Sequence, residues 1–271
     1  KTGAAVMAAK TALLAGAGLV TLATPAPCLP IVAAQSAEVM TEPLEATESG
    51  GISIRAYDYG RISELLKGKD VLALGPGIGT DPETKDFVRR LLKETTLPVV
   101  LDADGINAFA GCDEQLNGEA RKLILTPHPG EFARLIGRTT SEVLASRIKI
   151  SRQFSIDHHV HLVLKGHRTV YAAPSGQVYV NLSGNPGMAT GGSGDVLTGI
   201  LAGLIGQGMQ LPEGDDAARD CLEEMITLGV YLHGNAGDLA AVRVGQHSLI
   251  AGDIMDSISN AFLVLRETVM V

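Results

Sequence analysis

A doubly wound α/β domain, with a mostly parallel sheet, helices on both faces and one antiparallel hairpin, is the fold class this sequence predicts. Three observations carry it. Short apolar runs alternate with helical stretches, the rhythm of strands joined by crossover helices. The runs are continuous rather than alternating, as strands buried on both faces are. Glycine-rich turns stand just after such runs, where open α/β sheets keep their ligand crevice.

The 271-residue chain does not begin with Met, and its segment Ala4 to Ala23 is apolar enough to suggest a signal peptide or a membrane span. Lys10 sits inside that segment, and Gly16 and Gly18 break it. The spacing therefore predicts a helix to about Leu14, a glycine turn and a strand at Leu19–Ala23, with neither targeting nor spanning required. Further strands are expected at Val71–Leu74, Val99–Leu101, Leu123–Leu125 and Leu162–Leu164. Helices are expected at Pro82–Glu94, Gly130–Leu135 and Thr140–Ile156, and from Val196 onward. Thr169 to Asn181 breaks the rhythm with two β-type runs around Pro-Ser-Gly-Gln, an antiparallel hairpin. Gln35–Gly51 and Gly206–Asp216 read as loops.

Bulk chemistry narrows the partners. Net charge is −8, from 22 basic and 30 acidic residues, which argues against a nucleic-acid surface or an anionic membrane. Any phosphate site must be local. Cys28, Cys112 and Cys221 are odd in number and far apart, so the expectation is free thiols in a reducing, cytoplasmic setting.

The most informative segment is Asn185 to Gly199, NPGMATGGSGDVLTG. Six small residues, Ala189 to Gly194, lead into Asp195 and a helix pattern of Val196, Leu197, Ile200, Leu201 and Leu204. Glycines admit close backbone approach, and a helix start offers unpaired N–H groups with roughly half a positive charge. That is an anion site. A carboxylate in the first turn can take a proton from a substrate hydroxyl, so the pair points to phosphoryl transfer to or near a hydroxyl. A plain helix cap would need one Ser, Thr or Asp, not three glycines among six small residues.

Other motifs follow strands too. Gly75-Pro76-Gly77-Ile78-Gly79 with Asp102 mimics a dinucleotide fingerprint, but its G-x-G-x-G spacing and Pro76 make the match weak. Close backbone approach to some ligand is the better reading. Asp102-Ala103-Asp104 either holds Mg²⁺ through water or is an ordinary turn at Asp104-Gly105. In Thr126-Pro127-His128-Pro129-Gly130-Glu131, His128 and Glu131 either meet a polar substrate or merely start a helix. Lys165-Gly166-His167-Arg168-Thr169 places a lysine in reach of phosphate. Of His158, His159 and His161, only His159 and His161 would share a face in a strand, with no third ligand at zinc spacing, so no metal-ligating set is assigned. The sequon Asn181-Leu182-Ser183 carries no meaning without secretion.

Taken together these motifs resemble one family, the nucleotide-dependent NAD(P)H-hydrate dehydratases of the ribokinase-like fold. The resemblance covers nearly the whole chain, in the family's order: Thr2-Gly3-Ala4-Ala5 with Ala15 to Val20, Gly75 to Gly79, Asp102 to Asp104, Thr126 to Glu131, and Lys165-Gly166 with Thr169. Gly184 to Ala189 through Gly192-Ser193-Gly194-Asp195-Val196-Leu197 is the most specific part, and His233-Gly234 with Ala236-Gly237-Asp238 also fits.

The resemblance implies a repair lyase that removes water from NADHX or NADPHX, consuming ADP or ATP, with ADP favoured. The ring hydroxyl is phosphorylated and phosphate then leaves. By position, Asp195 is the base on that hydroxyl. Ala4, Gly77, Gly79 and His128 hold the hydrated dinucleotide together with Asp195. Lys165, Gly166, His167, Arg168 and Thr169, with Gly192, Ser193 and Gly194, hold the nucleotide, and Mg²⁺ bridges its phosphates. A single domain over residues 1–271 is expected, as a homo-oligomer with neither nucleic acid nor membrane as partner. Family members open with a further strand and glycine-rich turn, which this sequence lacks before Thr2, and many carry an N-terminal epimerase domain. The rivals are a vitamin-alcohol or sugar kinase of the same fold, and a nucleotide-binding regulator that would not need Asp195.

Overall fold

The structure, a computed structural model, describes residues 1–210 and 221–269. It opens with helix α1 (Thr2–Leu14), strand β1 (Thr21–Pro25), a short α2 (Leu29–Ala33) and strand β2 (Met40–Leu44). After α3 (Arg61–Leu66) comes the βα series: β3 (Leu72–Leu74), α4 (Pro82–Glu94), β4 (Val99–Leu101), α5 (Ala103–Asn107), β5 (Leu123–Leu125), α6 (Pro129–Leu135), α7 (Thr140–Ala145), α8 (Arg147–His158) and β6 (His161–Leu164). The hairpin is β7 (Val170–Ala172) with β8 (Val178–Val180). Helices α9 (Ser193–Gly208), α10 (Cys221–Val244), α11 (Ala251–Asp256) and α12 (Ile258–Val269) follow.

Strands β3 to β8 form one six-stranded sheet in chain order. β3 to β6 run parallel, and β7 and β8 return antiparallel. Both faces of the strands β4, β5 and β6 are buried, for a reason visible residue by residue. Val99, Leu101, Leu123, Leu125, Leu162 and Leu164 pack with Phe87, Leu91, Phe132 and Phe154 on one side. The intervening Val100, Ile124 and Val163 pack with Leu197, Leu201, Ile226 and Val230 on the other. A run that is apolar at every position is what a two-sided strand requires.

Four expectations need correction. The segment read as a loop at residues 35–51 contains β2, which pairs in parallel with β1 as a separate two-stranded sheet. Its Glu42 and Pro43 disguise it; Pro lacks the ladder donor and is tolerated at a sheet edge. The first strand begins at Thr21, not Leu19, which is 82% exposed. The helix expected over 140–156 is two helices, broken at Ser146 with φ −141° and ψ 33°. Of the expected loop at 206–216, Gly206–Gly208 belongs to α9, and residues 211–216 lie outside the described residues.

Helix α1 lies against α9 at very short range. A Cβ on Gly199 would fall 2.3 Å from the Ala8 carbonyl oxygen, and one on Gly203 would fall 2.6 Å from that of Ala12. This seam brings the start of α1 to the sheet edge where the glycine turns gather. Among the described residues no helix is long and apolar enough to cross a membrane.

Candidate active site

Four parallel strands end at one edge, so the segments after β3, β4, β5 and β6 meet there. Gly75 follows β3, and a Cβ on it would lie 1.9 Å from the Asp102 carbonyl oxygen after β4. The Lys165 amide after β6 donates to the Pro127 carbonyl after β5 at 2.9 Å. The expected crevice at strand C-termini is thus assembled from its own turns.

Helix α9 aims its N-terminus into this edge. Gly192 is its N-cap at φ +93°, and no side chain caps it; the Ser193 amide donates to the Thr190 carbonyl at 3.4 Å, which leaves those of Gly194 and Asp195 for a ligand. Asp195 lies in that first turn. Burial, and next the Asp102 carboxylate, push its carboxyl up to about 6, against the opposing pull of Lys165 and Lys1; Asp104 adds a smaller push. Such a carboxylate is ionised at neutral pH yet basic enough to accept a proton.

Lys165 is held beside it. Its Nζ donates to Asp102 Oδ1 at 2.7 Å and would lie 3.0 Å from a Cβ on Gly194. Asp102 is 1% exposed, and its other oxygen accepts from Thr198 Oγ1 at 2.8 Å. Of the two readings of the Asp102–Asp104 pair, the side chains therefore favour structural work. Asp104 Oδ2 accepts the Gly79 amide at 3.1 Å, while the Gly105 amide donates to the Asp102 carbonyl. Ala103 between them has φ +50°, an uncommon state for a side-chain-bearing residue, of the sort that gathers at functional sites.

The far side of α9 is fixed from α10. His233 Nε2 donates to the Ser193 carbonyl at 2.9 Å. Desolvation pushes its imidazole down to about 4, so the ring is neutral and serves as a hydrogen-bond donor. Asn185 Nδ2 donates to Asp238 Oδ1 and the Gly237 carbonyl, which ties the Asn-Pro-Gly-Met turn to the same helix.

The loop of Lys165, Gly166, His167, Arg168 and Thr169 is bracketed by Arg147, whose guanidinium donates to the His167 carbonyl at 2.6 Å and to that of Leu164 at 3.2 Å. Arg168 has φ +54°. Gly77 touches the start of α1: a Cβ there would lie 2.2 Å from the Lys1 carbonyl oxygen and 3.2 Å from Ala4 Cβ. Ala4 and Gly77 are thus neighbours, and Gly79 is fastened to Asp104. His128 is the N-cap of α6; its Nδ1 accepts the Gly130 and Glu131 amides at 3.1 and 3.3 Å, and Glu131 returns the bond to the His128 amide. The helix-entry reading is therefore realised, and the ring remains largely exposed beside the site.

The three clustered histidines diverge. His158 meets the Leu116 carbonyl, His159 pairs with Glu119, and His161 meets the Tyr171 hydroxyl. Asn181 of the sequon donates to the Ser183 and Val230 carbonyls. Sequence reasoning missed Thr198, Arg147 and the bonding of His233. The one signal in the sequence was Thr198, a polar residue on an otherwise apolar stretch of α9.

Comparison with known proteins places this geometry among relatives. Residues 1–260 match the family described as NAD(P)H-hydrate dehydratase. The bifunctional NAD(P)H-hydrate repair enzyme of Moorella thermoacetica is 47% identical over 268 residues, 99% of this chain and 48% of its own length. The ADP-dependent (S)-NAD(P)H-hydrate dehydratase of Neisseria meningitidis serogroup B is 40% identical over 196 residues, 70% of this chain and 62% of its own. The chain spans about half the length of the bifunctional relatives it matches. Among solved structures, the ADP/ATP-dependent NAD(P)H-hydrate dehydratase from Bacillus subtilis, co-crystallised with ATP and Mg²⁺, superposes with TM-score 0.75 at 25% identity, covering 96% of this chain and 84% of that one. Ribokinase of Arabidopsis thaliana, at 15% identity and TM-score 0.51, shares the fold.

Proposed function

The chain belongs to the NAD(P)H-hydrate dehydratase family, and from that premise we propose that it restores NADH and NADPH from their hydrates at the expense of ADP or ATP. The observation that carries the proposal is Asp195 in the first turn of α9 with the Lys165 ammonium beside Gly194. A base and a phosphate-binding cation stand together at an uncapped helix N-terminus.

The chemistry divides into two steps. The hydroxyl of the hydrated ring gives its proton to Asp195 while its oxygen bonds to the terminal phosphorus, and the bridging P–O bond of the nucleotide breaks. The ring C–O bond then breaks, phosphate leaves with the oxygen, a ring C–H proton is lost, and the reduced nicotinamide is restored. The α9 amides and Lys165 stabilise charge on the transferring group. Lys165 to Thr169 with Gly192, Ser193 and Gly194 hold the nucleotide. Ala4, Gly77, Gly79 and His128 line the dinucleotide's approach.

Mg²⁺ fits as an ion carried on the nucleotide's phosphates. Asp102 and Asp104 are already committed to Lys165, Thr198 and the Gly79 amide, and Mg²⁺ is commonly held by phosphates and water. When bound it neutralises phosphate charge. ADP is favoured over ATP, in keeping with the name of the Neisseria relative. A cytoplasmic homo-oligomer, in a protein that also carries an epimerase domain, completes the reading. The test is incubation with NADHX and either nucleotide while the absorbance of reduced nicotinamide is followed. Its return with nucleotide and not without supports the proposal; no return with either refutes it.

A further inference from the structure

We propose that Asp102, anchored by Thr198, is a positioning residue that holds the Lys165 ammonium over Gly194. The inference rests on the nucleotide reading above and extends it to residues on three separate elements. Lysine is a point charge on a flexible four-carbon stem. Left to itself it would sample many rotamers and would have to be ordered at each binding event. Here the stem is directed by one buried carboxylate, whose Oδ1 accepts from Nζ at 2.7 Å while Oδ2 accepts from Thr198 Oγ1 at 2.8 Å. Both acceptors are engaged, so the carboxylate cannot swing away without losing a bond. Glycine at 194 leaves the ammonium room to stand this close: a Cβ there would lie 3.0 Å from Nζ and 3.8 Å from Asp102 Oδ2.

The geometry separates direction from charge. Asp102 offsets the charge of Lys165, so the pair adds little net attraction for an anion. Its contribution is placement, with two of the three ammonium protons left for a phosphate. Thr198 lies one helical turn after Asp195 on α9, so the anchor and the base ride on the same rigid element. The groups facing Asp195 are Asp102 and Asp104 beyond β4, Lys165 beyond β6 and Lys1 at the start of α1. Asp102 and Lys165 push its ionisation in opposite directions, which gives the test its second readout.

The experiment is a set of variants read on ADP affinity by calorimetry and on the pH profile of NADHX turnover. Thr198→Val should weaken ADP binding by about 10-fold, the scale of a hydrogen bond to a charged group, and Thr198→Ser should recover it. If Asp102 acts through Lys165, Asp102→Asn combined with Lys165→Met should bind ADP no worse than Lys165→Met alone. The acid limb of turnover should move to lower pH in Asp102→Asn and to higher pH in Lys165→Met. A role of Asp102 independent of Lys165 predicts additive losses of ADP affinity, and that result would overturn the proposal. A third readout needs no nucleotide: the amino protons of Lys165, followed by ¹⁵N NMR in the ligand-free chain, should exchange slowly in the parent and Thr198→Ser and fast in Thr198→Val. Equal exchange in all three would also overturn it. Absence of NADHX turnover in the parent would instead refute the dehydratase reading and leave the ADP and NMR arms to decide this one.

Discussion

The two ends of the site are built by different means. The end proposed to hold phosphate is a buried charge network: Asp102, Lys165 and Thr198 join β4, β6 and α9, and His233 braces α9 from α10. The end proposed for the dinucleotide is backbone: Gly77 against the start of α1, Gly79 bonded to Asp104, and His128 capping α6 with its ring exposed. Preorganised charge in a water-poor setting acts on the transition state, whereas a surface made of turns mainly binds. Changes at the first end should therefore fall on kcat and nucleotide affinity. Changes at the second should fall on KM for the dinucleotide, with kcat preserved.

The sharpest break of that contrast comes from Gly194→Val. A Cβ there would stand 3.0 Å from the Lys165 ammonium, and the branches of valine crowd it further. ADP and ATP affinity should each fall by about 10-fold or more, the loss of at least one charge-assisted hydrogen bond, measured by calorimetry. Unchanged affinity for both would detach the helix N-terminus from the phosphate.

Acidification comes next. With the Asp195 carboxyl raised to about 6, the base is ionised above that pH and protonated below it. kcat/KM should fall about tenfold per unit as pH drops below about 6. A profile flat down to pH 4 would separate Asp195 from proton transfer.

The smallest effect belongs to the other end. His128→Ala removes an N-cap, which should cost about 1 kcal/mol of stability and raise KM for NADHX several-fold. ADP affinity and kcat should stay put, and a loss confined to kcat would erase the distinction between the ends.

The central parallel strands β4, β5 and β6 were legible because each carries a run of three apolar residues, and in a chain with βα rhythm such short runs belong in the middle of a sheet covered on both faces. The hairpin was legible because its turn residues interrupt the apolar runs. Strand β2 was hidden because an edge strand needs neither a continuous apolar run nor a full set of ladder donors, and Glu42 and Pro43 remove both cues. The break at Ser146 left no Gly or Pro to mark it. At the site, Asp195, Lys165 and the glycine turns could be read because each sits beside its own local signal. The bond from Lys165 to Asp102 spans 63 residues, and that from Thr198 to Asp102 spans 96. Nothing local marks such pairs; only the meeting of strand ends creates them.

The central claim is that Asp195 is the base that commits the hydroxyl to phosphorus. Asp195→Asn is near-isosteric, so its effect on chemistry can be separated from its effect on folding. Because the carboxyl is raised in the folded chain, ionising it costs stability as pH climbs through about 6; the amide removes that cost, and at neutral pH the variant should melt no lower than the parent. It should bind ADP about as well. NADHX turnover, followed by the return of reduced-nicotinamide absorbance at saturating ADP, should fall by at least about 100-fold in kcat. Turnover near that of the parent would contradict the account and leave the helix N-terminus a place to bind phosphate and nothing more.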